Sequence, residues 1–230
     1  MHKVIVTAGK LVVLSVSASL WLVVLLRWID PPTSSFMVQN SLGRLFSATN
    51  NNGLKHQWVD YDDISPHIKI AVVAAEDQLF LSHFGFDFAS IELALKQNEK
   101  GRRLRGASTI SQQVAKNLFL WSGRSYLRKG LEAYFTILIE AIWSKRRILE
   151  VYLNIAQMGS SIYGVRAASE VYFKQPASQI TRKQAALLAA ALPNPVKYSV
   201  ANPSSFMRSR QQWILQQMRQ LGGDKYLSDL

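Results

Sequence analysis

Ala74-Ala75-Glu76-Asp77-Gln78-Leu79-Phe80-Leu81-Ser82-His83-Phe84-Gly85 sets two adjacent carboxylates in a segment that is otherwise almost wholly apolar. Upstream, Ser65-Pro66 reads as an N-cap followed by the first helical position, so the spacing predicts a helix starting there. Ile68, Ile70, Ala71, Val72, Val73, Ala74 and Ala75 follow, with Lys69 as the one charge. A helix apolar on nearly every side belongs in a core. Val72, Val73, Leu79 and Phe80 lie three or four residues from Glu76, which puts them on its face of a continuing helix. A carboxylate so flanked is partly desolvated, and its pKa rises towards the range of a general base or acid. The plain alternative, on this stretch alone, is a solvated or salt-bridged acidic pair at a helix end.

The whole chain bounds the reading. Its 230 residues suit one domain with or without an appendage, and 48% hydrophobic content is enough for a core. Cysteine is absent, which excludes disulfides, thiolate metal sites and cysteine nucleophiles. A net charge of +12 points to an anionic partner: nucleic acid, an anionic membrane surface or a phosphorylated substrate.

The N-terminus narrows that choice. Residues 1–10 read as a short cytoplasmic tail and 11–29 as a transmembrane helix. Leu11 to Leu26 carries no charge, and the 11–29 segment as a helix is about 28 Å long, close to one hydrocarbon thickness. Arg27 can snorkel to the headgroups and Trp28 suits the interface. Val16-Ser17-Ala18 resembles a signal-peptide cleavage site, but the apolar run continues past it through Leu26, which favours an uncleaved anchor. Lys3 and Lys10 keep the N-terminus cytoplasmic. The remaining chain then lies outside the cytoplasm, with membrane lipids as neighbours and no nucleic acid as partner.

Residues 30–59 read as a linker and domain entry, turn-rich at Asp30-Pro31-Pro32 and again at Asn50-Asn51-Asn52-Gly53. A short extended piece is expected near His56–Tyr61. Further helices are expected at 87–97, from Thr109 with Ser108 as N-cap, over Tyr126–Trp143, over 145–154, over 165–173, over 184–192 with Thr181 as cap, and from Asn202-Pro203 to Gly222. The domain reads as mainly α. Lys96 to Lys129 is its basic centre, with nine Lys and Arg residues against the single acid Glu99. The first part of it, Gln97 to Gly106, reads as a mobile loop. Thr109, Gln112 and Lys116 share a face of the helix that follows. That stripe is either a solvated side or a phosphate-binding face. Arg128 and Glu132 are four apart, which by itself suggests a surface ion pair.

Five blocks in fixed order resemble glycosyltransferase family 51, the peptidoglycan glycosyltransferases. They are Glu76 to Gly85, Gly106 to Leu120, Arg128-Lys129-Gly130-Leu131-Glu132-Ala133, Lys145 to Asn154 running on to Gly159, and Tyr163 to Ser169 continuing to Tyr172-Phe173. The resemblance covers roughly residues 60–220. It implies a lysozyme-like bilobal helical domain over 60–222, leaving 223–230 as a tail. No Ser-x-x-Lys or Lys-Thr-Gly occurs, so the expectation is a monofunctional member without transpeptidase activity.

The resemblance further implies lipid II and the nascent glycan strand as substrates, and an inverting transfer that makes β-1,4 bonds and releases undecaprenyl pyrophosphate. It makes Glu76 the base and Glu132 the second, donor-side glutamate, positioning cationic groups or a metal. Lys116 and Arg124 match the pyrophosphate contacts, and Arg128 and Lys129 add field. Ser108, Thr109, Gln112 and Gln113 are expected to hydrogen-bond sugar or phosphate. Asp77, His83, Glu150 and Asn154 are expected to support the site. Leu131 stands where some members carry a lysine, so no contact is assigned there. No cofactor is required on this reading, with a divalent cation near the pyrophosphate as the one candidate. The setting is the inner membrane, single-pass, with the catalytic domain periplasmic and cell-wall synthesis or division proteins as partners.

Two rival classes stand beside this. A lysozyme-like enzyme that cleaves glycan also uses paired carboxylates, but has no need of a pyrophosphate clamp. A non-catalytic membrane-anchored scaffold has no need of a buried acid pair.

Overall fold

The computed structural model describes residues 2–45, 53–99, 108–228 and 230, with the side chains of 2–6, 8, 45, 95 and 97–99 excepted. The loop expected over 97–106 and the Asn50–Asn52 turn lie largely outside the described residues, as does the Gly106-Ala107 start of the second block.

Ten α-helices and one two-stranded sheet are described: α1 (His2–Leu25), α2 (Ser35–Leu45), β1 (Lys55–His56), α3 (Pro66–Glu76), α4 (Phe88–Glu99), α5 (Ile110–Phe119), α6 (Tyr126–Ile142), α7 (Lys145–Ile155), β2 (Ile162–Tyr163), α8 (Val165–Phe173), α9 (Arg182–Ala191) and α10 (Ser205–Gln220). The parallel pair β1–β2 is the extended piece expected near residue 56. Helix α2 was not legible, because 35–45 is mixed and polar with one fully seated anchor, Met37, at 2% exposure.

Helix α3 is the axis of the core. Ser65 caps it, accepting from His67 N, and Pro66 occupies the first turn. Such a cap contributes about 1 kcal/mol. Ile68, Ile70, Val72 and Val73 are wholly buried, and each contributes about 1.5–3 kcal/mol by leaving water. The helix packs on α9 and α10, while α5 packs on α6 and α7. The helix stops at Glu76, because Asp77 turns away at φ −160°. Leu79 and Phe80 therefore do not share Glu76's helical face as expected: Leu79 is exposed and Phe80 is buried elsewhere in the core.

Two other boundaries move for local reasons. Thr109, not Ser108, caps α5, because Thr109 and Gln112 form a reciprocal capping box. Ser204 caps α10. The segment after Gly222, expected as a tail, forms a 3-10 turn over Gly223–Leu227 against α3, and Tyr226 donates its hydroxyl to Gln78 O at 2.9 Å.

Among the described residues no helix is long and apolar enough to cross a membrane. The C-terminal end of α1 is fastened to the domain. Trp143 Nε1 donates to Val23 O (2.8 Å), Ser19 and Tyr134 share a hydroxyl bond (2.8 Å), and Arg147 donates to Leu26 O and Ile29 O while pairing with Asp30. Carbonyls left over at a helix C-terminus are thus met by a cation.

Candidate active site

Four helices converge on Glu76, the last residue of α3. From α5, Gln113 Nε2 donates to Glu76 Oε2 at 2.9 Å. From α7, the Tyr152 hydroxyl donates to Gln113 Oε1 at 3.1 Å. From α10, Arg210 Nη2 stands 3.8 Å from Glu76 Oε1. The Glu76 side chain is 14% exposed. Burial pushes its carboxyl above the ordinary carboxylate range; the Gln113 bond, Arg210 and Lys116 pull the other way, and Asp77 adds a small upward push. Desolvation wins, as the sequence suggested.

Asp77 is occupied otherwise. Its Oδ2 accepts from Ile110 N (2.9 Å), the first backbone donor of α5, where a carboxylate complements the helix end. Its Oδ1 accepts from His83 Nε2 (2.9 Å), while His83 Nδ1 accepts from Gly85 N (3.1 Å), which fixes the imidazole proton on Nε2. Asp77 and His83 therefore clasp the 77–85 turn to α5. Thr109 belongs to the same clasp, donating to Gly85 O at 2.7 Å. Gly85 sits at φ +79°, and a Cβ there would meet the Thr136 Cγ2 at 2.7 Å, so any other residue would strain the backbone and force Thr136 to shift. Thr109 Oγ1 serves this clasp and the capping box, Gln112 Oε1 accepts from Thr109 N within that box, and both residues are buried. Ser108 is exposed beside them.

Glu132, on α6, is 3% exposed and holds two cations, Arg128 through Oε2 at 2.7 Å and Lys129 through Oε1. The surface pair expected at Arg128–Glu132 is in fact largely buried, with Arg128 only 12% exposed. Lys116 senses both Glu76 and Glu132; burial lowers its pKa, and Glu132 raises it most among its neighbours. It makes no ion pair among the described residues and lies 5.5 Å from the Phe36 ring. Arg124 is exposed at the start of the same region. Lys116, Gln113 and Tyr152 line one cavity of about 240 Å³, together with Asn117, Tyr163 and Pro193.

Both Glu132 oxygens carry cationic partners, and among the described residues no group of three His, Cys, Asp or Glu could hold a metal ion by itself, so a divalent cation here would draw most of its ligands from the pyrophosphate and water.

Glu150 and Asn154, one turn apart on α7, brace the site from behind. Glu150 accepts from Tyr61 N (2.8 Å), and Asn154 both accepts from Val59 N and donates to Val59 O (2.9 Å each). Three contributors escaped the sequence. Arg210 lies far along the chain with no local pattern. Tyr152 sat inside a quoted block without an assigned role. Glu140, buried on α6, binds Ser111 and Lys145, and Lys145 reaches on to His83 O at 2.7 Å.

The desolvated Glu76 carboxyl is hydrogen-bonded to Gln113, which lines the cavity with Lys116 close to the cations held by Glu132, an arrangement suited to transferring a group away from an anionic leaving group. The chain belongs to the transglycosylase family, whose model matches residues 42–219. It is 51% identical over 214 residues to the biosynthetic peptidoglycan transglycosylase of Pseudomonas entomophila (strain L48), covering 93% of this chain and 90% of the relative. A protein of the same name from Shewanella oneidensis is 53% identical over 214 residues, covering 93% and 91%. Another, from Cronobacter sakazakii, is 55% identical over 197 residues, covering 86% and 82%.

Proposed function

We propose that the chain is a peptidoglycan glycosyltransferase that polymerises lipid II into β-1,4-linked glycan and releases undecaprenyl pyrophosphate. The observation that carries this is Glu76, desolvated at the end of α3, within the electrostatic reach of Lys116 and hydrogen-bonded to Gln113, which lines the cavity with Lys116. Gln113 occupies Glu76 Oε2, which leaves Oε1 to take the proton of the acceptor 4-hydroxyl. As that proton leaves, the acceptor oxygen attacks the donor anomeric carbon from the face opposite the pyrophosphate. The new C–O bond forms, the bond to phosphate breaks, and its electron pair departs on the pyrophosphate. Attack from that face inverts an α linkage to β.

Lys116, Arg124, Arg128 and Lys129 neutralise the departing charge, and Glu132 holds two of them in place. Buried donors without partners at Arg128 Nε and Arg210 Nε are consistent with an anionic ligand completing the site. Ser108 contacts sugar or phosphate directly; Gln113, its amide held between Tyr152 and Glu76, acts through the base, and Thr109 and Gln112 shape the turn beside them. The α3–α9–α10 group carrying Glu76 and the α5–α6–α7 group carrying Glu132 form the two lobes of a lysozyme-like cleft.

The anchor and topology belong to the same proposal. Leu11–Leu14, Trp21 and Leu25 on α1 are each 49–67% exposed, a surface that lipid would cover, with the N-terminus cytoplasmic and the catalytic domain periplasmic at the inner membrane. Trp121, Tyr126 and Leu127 add an exposed apolar rim near the cationic side, suited to dipping into the interface.

The test is full-length protein with labelled lipid II and no other enzyme. Long, lysozyme-sensitive strands are expected. Lipid II left intact in several detergents, or shortening of preformed glycan, would overturn the reading.

A further inference from the structure

We infer that Tyr152 is a positioning residue of the base: it fixes the Gln113 amide so that Gln113 can only donate to Glu76, leaving Oε1 as the single basic oxygen. The inference rests on the assignment of Glu76 as base in the proposed polymerisation.

A glutamine amide has two orientations of nearly equal shape, one presenting NH₂ and the other C=O. Beside a base, only the first is useful, because a carbonyl facing a carboxylate repels it and raises its pKa further. Gln113 alone does not choose. The chain resolves this with a phenol. Tyr152 is 1% exposed, and its hydroxyl lies 3.1 Å from Gln113 Oε1. Burial, with Glu76 and Asp77 nearby, holds that phenol well above its ordinary pKa, so it remains a proton donor throughout the working range. With the phenol donating to Oε1, the amide NH₂ is directed to Glu76 Oε2, 2.9 Å away.

The remaining oxygen faces Arg210 Nη2 at 3.8 Å, too far for a hydrogen bond and near enough to favour the anion. The charged and titratable groups facing Glu76 are thus Lys116 from α5, Tyr152 from α7, Arg210 from α10 and Asp77 after its own helix. Of these, only Tyr152 acts through a second side chain. Because Tyr152 and Gln113 both line the cavity, the relay sits where substrate can feel its loss.

The experiment is steady-state polymerisation of labelled lipid II by full-length wild type, Tyr152→Phe, Gln113→Ala and the double variant, across pH. Tyr152→Phe removes one oxygen and leaves no cavity. It is expected to lower kcat about tenfold with KM unchanged, and to move the acidic limb of the profile to higher pH, since the Gln113 bond that lowers the Glu76 pKa is weakened. In the Gln113→Ala background, Tyr152→Phe is expected to add nothing. Unchanged turnover and limb in Tyr152→Phe, or a full further loss in the double variant, would overturn the inference. Should Tyr152→Phe not fold, Gln113→Ala against Gln113→Glu decides: a limb that does not move in Gln113→Ala removes the relay's target. Wild type that fails to polymerise lipid II sinks the functional reading instead, so the two failures are distinct.

Discussion

Burying Glu76 works against folding and for catalysis at once. A carboxyl whose folded-state pKa is raised binds its proton more tightly folded than unfolded. Its contribution to stability is therefore present at low pH and is lost as pH rises through the folded value. At neutral pH the ionised group is a cost, reduced by Gln113 and Arg210. Glu76→Gln removes the charge and keeps the shape. Its melting temperature is expected above wild type at pH 8, by about 2–4 °C for each kcal/mol relieved, with the gap closing towards pH 4. Differential scanning calorimetry at both pH values checks this. A variant less stable at pH 8 and not at pH 4 would mean that the Arg210 pairing outweighs desolvation. Residue-scale features of this kind were partly legible. The apolar run before Glu76 announced its desolvation, although Leu79 and Phe80 after it lie off its face, whereas Asp77 is used as a clasp because the N-terminus of α5 meets it.

At the scale of elements, α7 is the support on which the rest of the site leans. Its polar residues at 150 and 154 imitate a neighbouring strand for the 58–61 segment, supplying a carboxylate and an amide where backbone partners would stand. Asn154 is fully buried and makes three such bonds, the third to Glu150 O at 3.0 Å. Gly164, at φ +79°, lies so close that a Cβ would meet Asn154 O at 2.5 Å. Asn154→Ala leaves Val59 N and Val59 O buried without partners, a loss of about 2–4 kcal/mol. It should appear as a lower urea midpoint with an unchanged slope, and a shift under 0.5 kcal/mol, roughly the level of an ordinary surface change, would show that water replaces the amide.

The pattern of helices was readable because caps and apolar periods are local: Ser65 and Thr181 each cap the helix expected after them. What those helices hold together was not, since 58–61 and α7 are joined by tertiary contact alone. Helix α2 escaped for the same reason, its stability coming from the packing of Phe36 and Met37 rather than from a pattern of its own.

Over the whole molecule, charge and apolar surface are divided in a way that suits a lipid-linked anion. Lys96 to Lys129 carries nine positive charges against one negative, a large share of the net +12, and α1, Trp121 and Leu127 are among the segments that expose apolar side chains. Arg147 and Trp143 fasten the C-terminal end of α1 to the helical domain, which ties the proposed anchor to the domain that carries the site. The basic centre was legible as a charge count. Its division into the Glu132-held pair and the unpaired Lys116 needed the fold, because only burial separates a clamp from a solvated face. The central claim is that Glu76 in its ionised form is the base for glycan polymerisation. Its most direct test is the pH dependence of single-turnover lipid II polymerisation by full-length wild type and Glu76→Gln. Wild type is expected to lose activity as pH falls through a limb above the ordinary carboxylate range, and Glu76→Gln to be slower by at least about a hundredfold at every pH. Near-normal turnover in Glu76→Gln, or the same acidic limb in both proteins, would contradict the account.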